Sequence, residues 1–291
     1  MRLVLSRKGF DAASGGAPSP ILADATLCPL PIPDPASPCT YRALRGPAGA
    51  SGLAARVERA TRGRIRRGDG AHLDPDLDRG SLVRRPRGWR PVFGQCGAAQ
   101  AHLARQGVGP GDLFLFFGWF RHEGQGGPGE HTIFGWLQIG ERVELGAQGA
   151  GAPPFARRHP HCFGRRRGAN VLYVARERLA VPGLPPLPGA GRFARFAPEL
   201  RLSADPLRLP KGVWRLPAAF APDPARGAPG LSHHADGRRW RREADGRVLL
   251  RSVGRGQEFV LDLSRAPELD GLRAWLARLF AGHAAAAPAL H

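Results

Sequence analysis

GDLFLFFGWFR at 111–121 and HTIFGWLQIGE at 131–141 decide the fold. The run LFLFFGWF, 113–120, is apolar throughout. It is too short for a typical helix and follows a Gly-Asp turn, so it reads as a central β-strand. Ile133 to Val143 is a second strong strand, and the loop between the two is full of glycine. Together they predict a long hairpin.

Outward from the hairpin, Gly94 to Gln106 reads as a helix, with Cys96, Ala99 and Leu103 on one face and Gly107 and Gly109 to Gly111 as its stop. Asn170 to Arg176 and Phe259 to Leu263 read as strands, and Met1 to Ser6 as another. Glu268 to Phe280 carries Leu269, Leu272, Leu276 and Leu279 at helical spacing. Leu53 to Thr61 fits a short basic helix, 27–51 extended coil, and Arg62 to Arg90 a basic segment with an acidic island at Asp74, Asp76 and Asp78. No internal repeat is visible. The pattern predicts an α+β class: a mainly antiparallel mixed sheet with a few packing helices. Residues 1–281 read as a single domain and 282–291 as a disordered, Ala-rich tail.

The chain has 291 residues, 42% of them hydrophobic, with 14 Phe and 6 Trp. That suffices for a substantial core and excludes a disordered protein. The formal net charge is +19, from 43 basic and 24 acidic residues. Only Lys8 and Lys211 are lysines; the other cations are arginines. A genome rich in G and C accounts for arginine in place of lysine, but not for the excess over acids. A field of this sign attracts nucleic acid or nucleotides. Cys28, Cys39, Cys96 and Cys162 include no C-x-x-C pair, so neither a zinc knuckle nor a redox dithiol is indicated, and a disulfide framework is not expected. No secretory signal and no membrane span are legible, which predicts a cytoplasmic protein, bacterial by its composition.

Several constellations have chemistry to offer. In the loop 6–20, a strand empties into Ser6, Arg7, Lys8 and Gly9, then Asp11, then Ser14, Gly15 and Gly16. Glycines beside cations are how a phosphate cradle is built. Asp11 there fits a base, a metal ligand or a turn cap. Neither a Walker A loop nor G-x-G-x-x-G is present, so no cofactor is identified. His72, Asp74 and Asp76 alternate, and in an extended segment would point one way, suiting a divalent metal or general acid–base work. Gln95 and His102 would share a face of the 94–106 helix and could read a base edge. His122-Glu123 and Glu130-His131 flank the hairpin loop and would suit a metal if it closes. Arg157, Arg158, Arg165, Arg166 and Arg167, with His159 and His161 among them, form the densest basic run, fitted to a phosphate backbone. In GRRWRR, 237–242, Trp240 could stack on a base. For each of these the plain alternative is a solvated turn, a capping residue or a composition-driven run.

Five stretches carry a family resemblance. They are LVLSRKGFDAASGGAPSPI at 3–21, HLDPDL at 72–77, FGQCGAAQAHL at 93–103, the hairpin motifs above, and GQEFVLD at 256–262. The chain resembles the third type of nucleotide modification associated domain, from about residue 3 to 281. The resemblance implies a setting in bacterial or phage systems that modify DNA bases. It supplies no reaction and no catalytic residues. The hairpin is also loosely similar to PUA, ASCH and EVE barrels, which implies a possible PUA-like barrel within the fold.

Three functions compete. An enzyme of nucleobase or nucleotide modification would bring the N-terminal loop, His72, Asp74, Asp76, Gln95 and His102 to one pocket. A reader of a modified base would show an aromatic cage at a barrel mouth. An accessory subunit of a modification complex would show a flat arginine face. The first is preferred, because the N-terminal loop combines glycines, cations and a carboxylate.

Overall fold

The structure, a computed structural model, describes residues 1–47, 52–254, 256 and 258–281. The tail expected to be disordered, 282–291, lies outside the described residues. An eight-stranded mixed sheet forms the body. Its main path runs β11 (Glu258–Asp262), β1 (Arg2–Arg7), β4 (Leu113–His122), β5 (Glu130–Glu144), β6 (Asn170–Ala175), β3 (Val92–Cys96). β2 (Ser19–Ile21) continues the line of β1 along β4, and β7 (Ala190–Arg192) pairs with β5. A second sheet has the order β8 (Val213–Pro217), β10 (Arg247–Arg251), β9 (Trp240–Arg242). Three α-helices pack around them: α1 (Leu53–Ala60), α2 (Gly97–Arg105) and α3 (Leu269–Ala281). No described helix is long and apolar enough to cross a membrane.

The α+β class and the β4–β5 hairpin are as the sequence predicts. Leu113 pairs with Gln138 and Phe120 with Glu130, across a register shift between Phe116 and Phe117. β1 lies parallel to β4 and antiparallel to β11, and its Leu3, Val4 and Leu5 are fully buried. That placement explains an apolar run without alternation: both faces of the strand are covered.

Two expectations need correction. Among the described residues no PUA-like barrel closes: the sheet is open, and β3 and β11 are not paired as strands. The predicted 94–106 helix is a strand followed by a shorter helix. Phe93 to Cys96 pairs with Asn170 to Tyr173, and the helix starts only at Gly97. Gly97 has φ of +62°, a conformation that breaks the strand and that glycine adopts without strain. Helical spacing of Cys96, Ala99 and Leu103 could not reveal that the first of them ends a strand.

β3 separates two packing environments. Phe93 faces the main core, against Phe114, Phe116 and Tyr173, with ring centroids 5.0–5.9 Å apart. Val92 lies on the opposite face with Leu172, Val174, Leu145 and Cys162. This smaller cluster holds the 3-10 turn Pro160–Cys162 over β3. α3 closes the other side, where Phe280 meets Trp136 and Trp275 meets Phe220.

His131 on β5 is a core residue, and its Nδ1 accepts from Trp214 Nε1 at 2.9 Å. Burial, helped by Arg7 and Lys211, pushes its pKa down to about 3. The unfolded chain, with a histidine near about 6.5, therefore binds a proton that the folded chain refuses. The stability this confers is complete above about pH 6.5 and is lost as pH falls toward the folded value, by about 1.4 kcal/mol per unit. Urea unfolding between about pH 6 and pH 4 should show a slope that His131→Gln lowers by up to one proton. An unchanged slope would mean that His131 is charged in the folded protein.

Candidate functional site

The N-terminal loop is folded upon itself. Asp11 Oδ1 accepts from the amides of Ala13 at 2.8 Å and Ser14 at 2.6 Å, and the Gly16 amide donates to the Asp11 carbonyl. The ring of Phe10 packs beneath Gly15, and Arg64 donates to the Gly15 carbonyl. Asp11 thus serves as a turn cap and occupies the amides of Ala13 and Ser14. Arg7 bonds the carbonyls of Val253 and Gly254, and Gly9 comes close to the Leu30 carbonyl.

Ser6, Lys8 and Gln95 meet at a residue that sequence reading did not single out, Glu258 on β11. Glu258 Oε1 accepts from Gln95 Nε2 at 2.6 Å, Lys8 Nζ at 2.7 Å and Ser6 Oγ at 3.1 Å. Burial raises the Glu258 pKa, against the pull of Lys8. Its Oε2 has no hydrogen-bond partner among the described residues. Lys8 also lies 4.7 Å from the centre of the Phe93 ring. This cluster ties β3 to β11 through side chains where no strand pairing joins them.

A different group forms on the other face of β3. The Asp74 side chain is 4% exposed, although the residue as a whole is half-buried. Its Oδ1 accepts from the Gly94 amide at 2.9 Å. Three imidazoles surround the carboxylate: His161 Nε2 at 3.4 Å from Oδ2, His72 Nε2 at 3.6 Å from Oδ2, and His159 Nε2 at 3.3 Å from Oδ1. His159 Nε2 is near enough for an ion pair but is not aligned for a hydrogen bond. Burial works against the charge on Asp74, yet the three histidines hold its pKa well below the usual carboxylate range.

The far nitrogens of two of these rings are fixed. His72 Nδ1 lies 2.7 Å from Asp34 Oδ2, which also takes Arg166 Nη2 at 2.9 Å. His161 Nδ1 lies 2.7 Å from Asn170 Oδ1, while Asn170 Nδ2 donates to the His161 carbonyl. Those partners fix both rings so that each turns its Nε2 toward Asp74. Burial lowers the His161 pKa, against the pull of Asp74. Burial also opposes charge on His72, but Asp34 and Asp74 together raise its pKa. The ligand atoms of His72, Asp74 and His161 all lie within 4.8 Å of one another, a spacing that can hold a metal ion.

Other candidates stand apart from this centre. Asp76 is gripped by both terminal nitrogens of Arg85 and by Trp89 Nε1. His102 bonds Ser232 Oγ at 3.0 Å and lies 4.1 Å from the His233 ring at a tilt of 32°, and burial pushes its pKa down to about 4. The hairpin-tip residues do not converge: Glu123 pairs with Arg56, Glu130 with Arg201, and His131 with Trp214. Arg157, Arg158, Arg165 and Arg167 are exposed, whereas Arg166 is drawn in to Asp34. Trp240 is half-buried and donates to the His234 carbonyl. So His72 and Asp74 meet, as do Ser6, Lys8 and Gln95, but on opposite faces of β3, and the single pocket expected of an enzyme does not form from those residues. His159 and His161 could be read from sequence only as parts of a basic run; their place beside Asp74 comes from the turn laid over Gly94.

Fold and site define an open-sheet α+β protein with a buried aspartate–histidine centre. The chain belongs to the nucleotide modification associated domain 3 family, whose family model matches residues 2–262. The family's name associates it with nucleotide modification. No curated protein and no solved structure matches the chain.

Gly94 permits the centre to assemble. A Cβ there would collide with the ring of His161 and come within 2.9 Å of His159 Cε1. Gly94→Ala should therefore cost about 1–3 kcal/mol in chemical denaturation and displace both rings. Wild-type stability together with unshifted His159 and His161 NMR signals would contradict this packing.

Proposed function

We propose that the chain is a cytoplasmic, metal-dependent enzyme that modifies a nucleobase or nucleotide, with His72, Asp74 and His161 as its metal ligands. The reading rests on one observation: two imidazole nitrogens and a carboxylate with little exposed side chain converge, each imidazole locked from behind. A first-row divalent ion with bonds of about 2.0–2.2 Å sets its ligands roughly 3–3.6 Å apart. The separations of 3.4 and 3.6 Å from Asp74 Oδ2 match that spacing. Two histidines and one carboxylate leave coordination positions for water or substrate, the arrangement used by non-haem iron and by hydrolytic metal centres. Asp34 and Asn170 serve as the groups that orient the ligands.

The buried position of these titratable groups and the open sheet weigh against a passive reader with an aromatic cage at a barrel mouth. Exposed Arg157, Arg158, Arg165 and Arg167 suit an anionic substrate that approaches from the same side as His159 and His161.

Elemental analysis of the purified chain should find a transition metal that is lost in His161→Ala and in Asp74→Ala. Asp34→Asn should weaken its affinity by about 10–100-fold. A chain that retains no metal whatever ion is offered, or a His161→Ala variant as metal-rich as wild type, would end the metal reading. Mass spectrometry of nucleosides from cells with and without the gene should show a modified nucleoside that disappears with Asp74→Ala. An unchanged nucleoside profile would remove the enzyme.

A further inference from the structure

Next to the Asp74 centre lies a cavity of about 260 Å³. His159 lines it, and this ring also touches the Asp74 carboxylate. Leu73, between His72 and Asp74 in the chain, lines it too. Trp89 and Phe155 contribute two half-buried aromatic rings. Arg84 and Arg158 line it as well; both are exposed and have no acidic partner among the described residues.

Asp76 explains how this wall is held. Its carboxylate takes both terminal nitrogens of Arg85 and, at 3.2 Å, the indole N–H of Trp89. Arg85 also covers a face of Trp89, 4.4 Å from the ring centre. The indole is thereby pinned at its edge and on one face before any ligand arrives. Because Arg85 neutralises Asp76, the wall does not repel an anion. Aromatic and apolar walls with unpaired guanidinium groups beside them recognise a flat π-system that carries a phosphate.

We propose that this cavity takes the base of a nucleotide unit, packed along Trp89 and Phe155, with its phosphate on Arg84 and Arg158. The proposal deepens the reading of the Asp74 centre, because it places the substrate beside His159 and within reach of that centre. A free nucleotide and a nucleotide within a strand present the same chemistry, and the experiment separates them.

Fluorescence anisotropy of a labelled single-stranded oligonucleotide of about 20 nucleotides, titrated with the full chain, reads binding directly. Deoxynucleoside monophosphates serve as competitors. Trp89→Ala and Phe155→Ala should each lower affinity by roughly 5- to 100-fold. The double variant Arg84→Ala/Arg158→Ala should lower it most at low salt, reducing the slope of log affinity against log salt by about 1.4. Competition by the monophosphates assigns the site to free nucleotides, and binding of the strand alone assigns it to nucleic acid; both support the cavity. Trp89→Ala also removes a donor to Asp76, so Phe155→Ala and the arginine pair, which break no ion pair, carry the test if that variant unfolds. Wild-type affinity in folded Phe155→Ala and in the arginine double variant overturns the proposal, as does failure of both probes to bind. Metal content of the same samples keeps the two readings apart. Lost binding with metal retained in Phe155→Ala supports the cavity, and so does a metal-free His161→Ala chain that still binds the oligonucleotide, even as it leaves catalysis to the centre alone.

Discussion

The carboxylate of Asp74 is an ion taken out of water, and an ion in that position persists only if its surroundings supply donors and positive charge. The Gly94 amide donates to it directly, and three imidazole nitrogens stand 3.3–3.6 Å from the carboxylate. Much of the local architecture follows from that need. The 3-10 turn Pro160–Cys162 must lie over β3 to deliver His159 and His161, and the apolar cluster of Val92, Leu172, Val174, Leu145 and Cys162 keeps it there. Position 94 must lack a side chain for the two rings to fit. Asp34, supplied by the loop before α1, and Arg166, supplied after the turn, complete the arrangement by fixing His72.

The opposite face of the same strand carries a second buried charge. Glu258 collects Lys8, Ser6 and Gln95 on one oxygen, and so connects the last strand of the chain with the first and with β3. Breaking a buried pair of this kind by removing one partner costs about 3–5 kcal/mol, so the cluster has a structural reason to exist. The alternation of side chains along β3 therefore divides labour. Phe93 and Gln95 serve the core and its closure, while Gly94 serves the aspartate–histidine centre.

How far the site was legible depends on how far its members lie apart in sequence. His72 and Asp74 stand two residues apart, so an extended segment suffices to bring them near each other. Asp76 shares that spacing but turns to Arg85, whose bidentate hold on a buried carboxylate outweighs the alternation. His159 and His161 lie within a basic run whose composition points to solvent, and only tertiary packing buries them. The loop at 11–16 had the residues of an anion cradle, but Asp11, five residues from its end, is close enough to claim the amides for itself. Local competition of that sort is invisible to a reading that asks only which residue types are present.

By itself, the sequence determined the hairpin of β4 and β5, the α+β class and the terminal helix, because these follow from apolar runs and spacings that a few neighbouring residues set. It also determined the excess of arginine and the proximity of His72 to Asp74. Tertiary structure alone decided the parallel pairing of β1 with β4, the open sheet, the end of β3 at Cys96, and the meeting of His72 and Asp74 with His161. Those depend on contacts between residues tens to hundreds of positions apart. Their energy comes from removing charge and apolar surface from water in three dimensions, which no local pattern records.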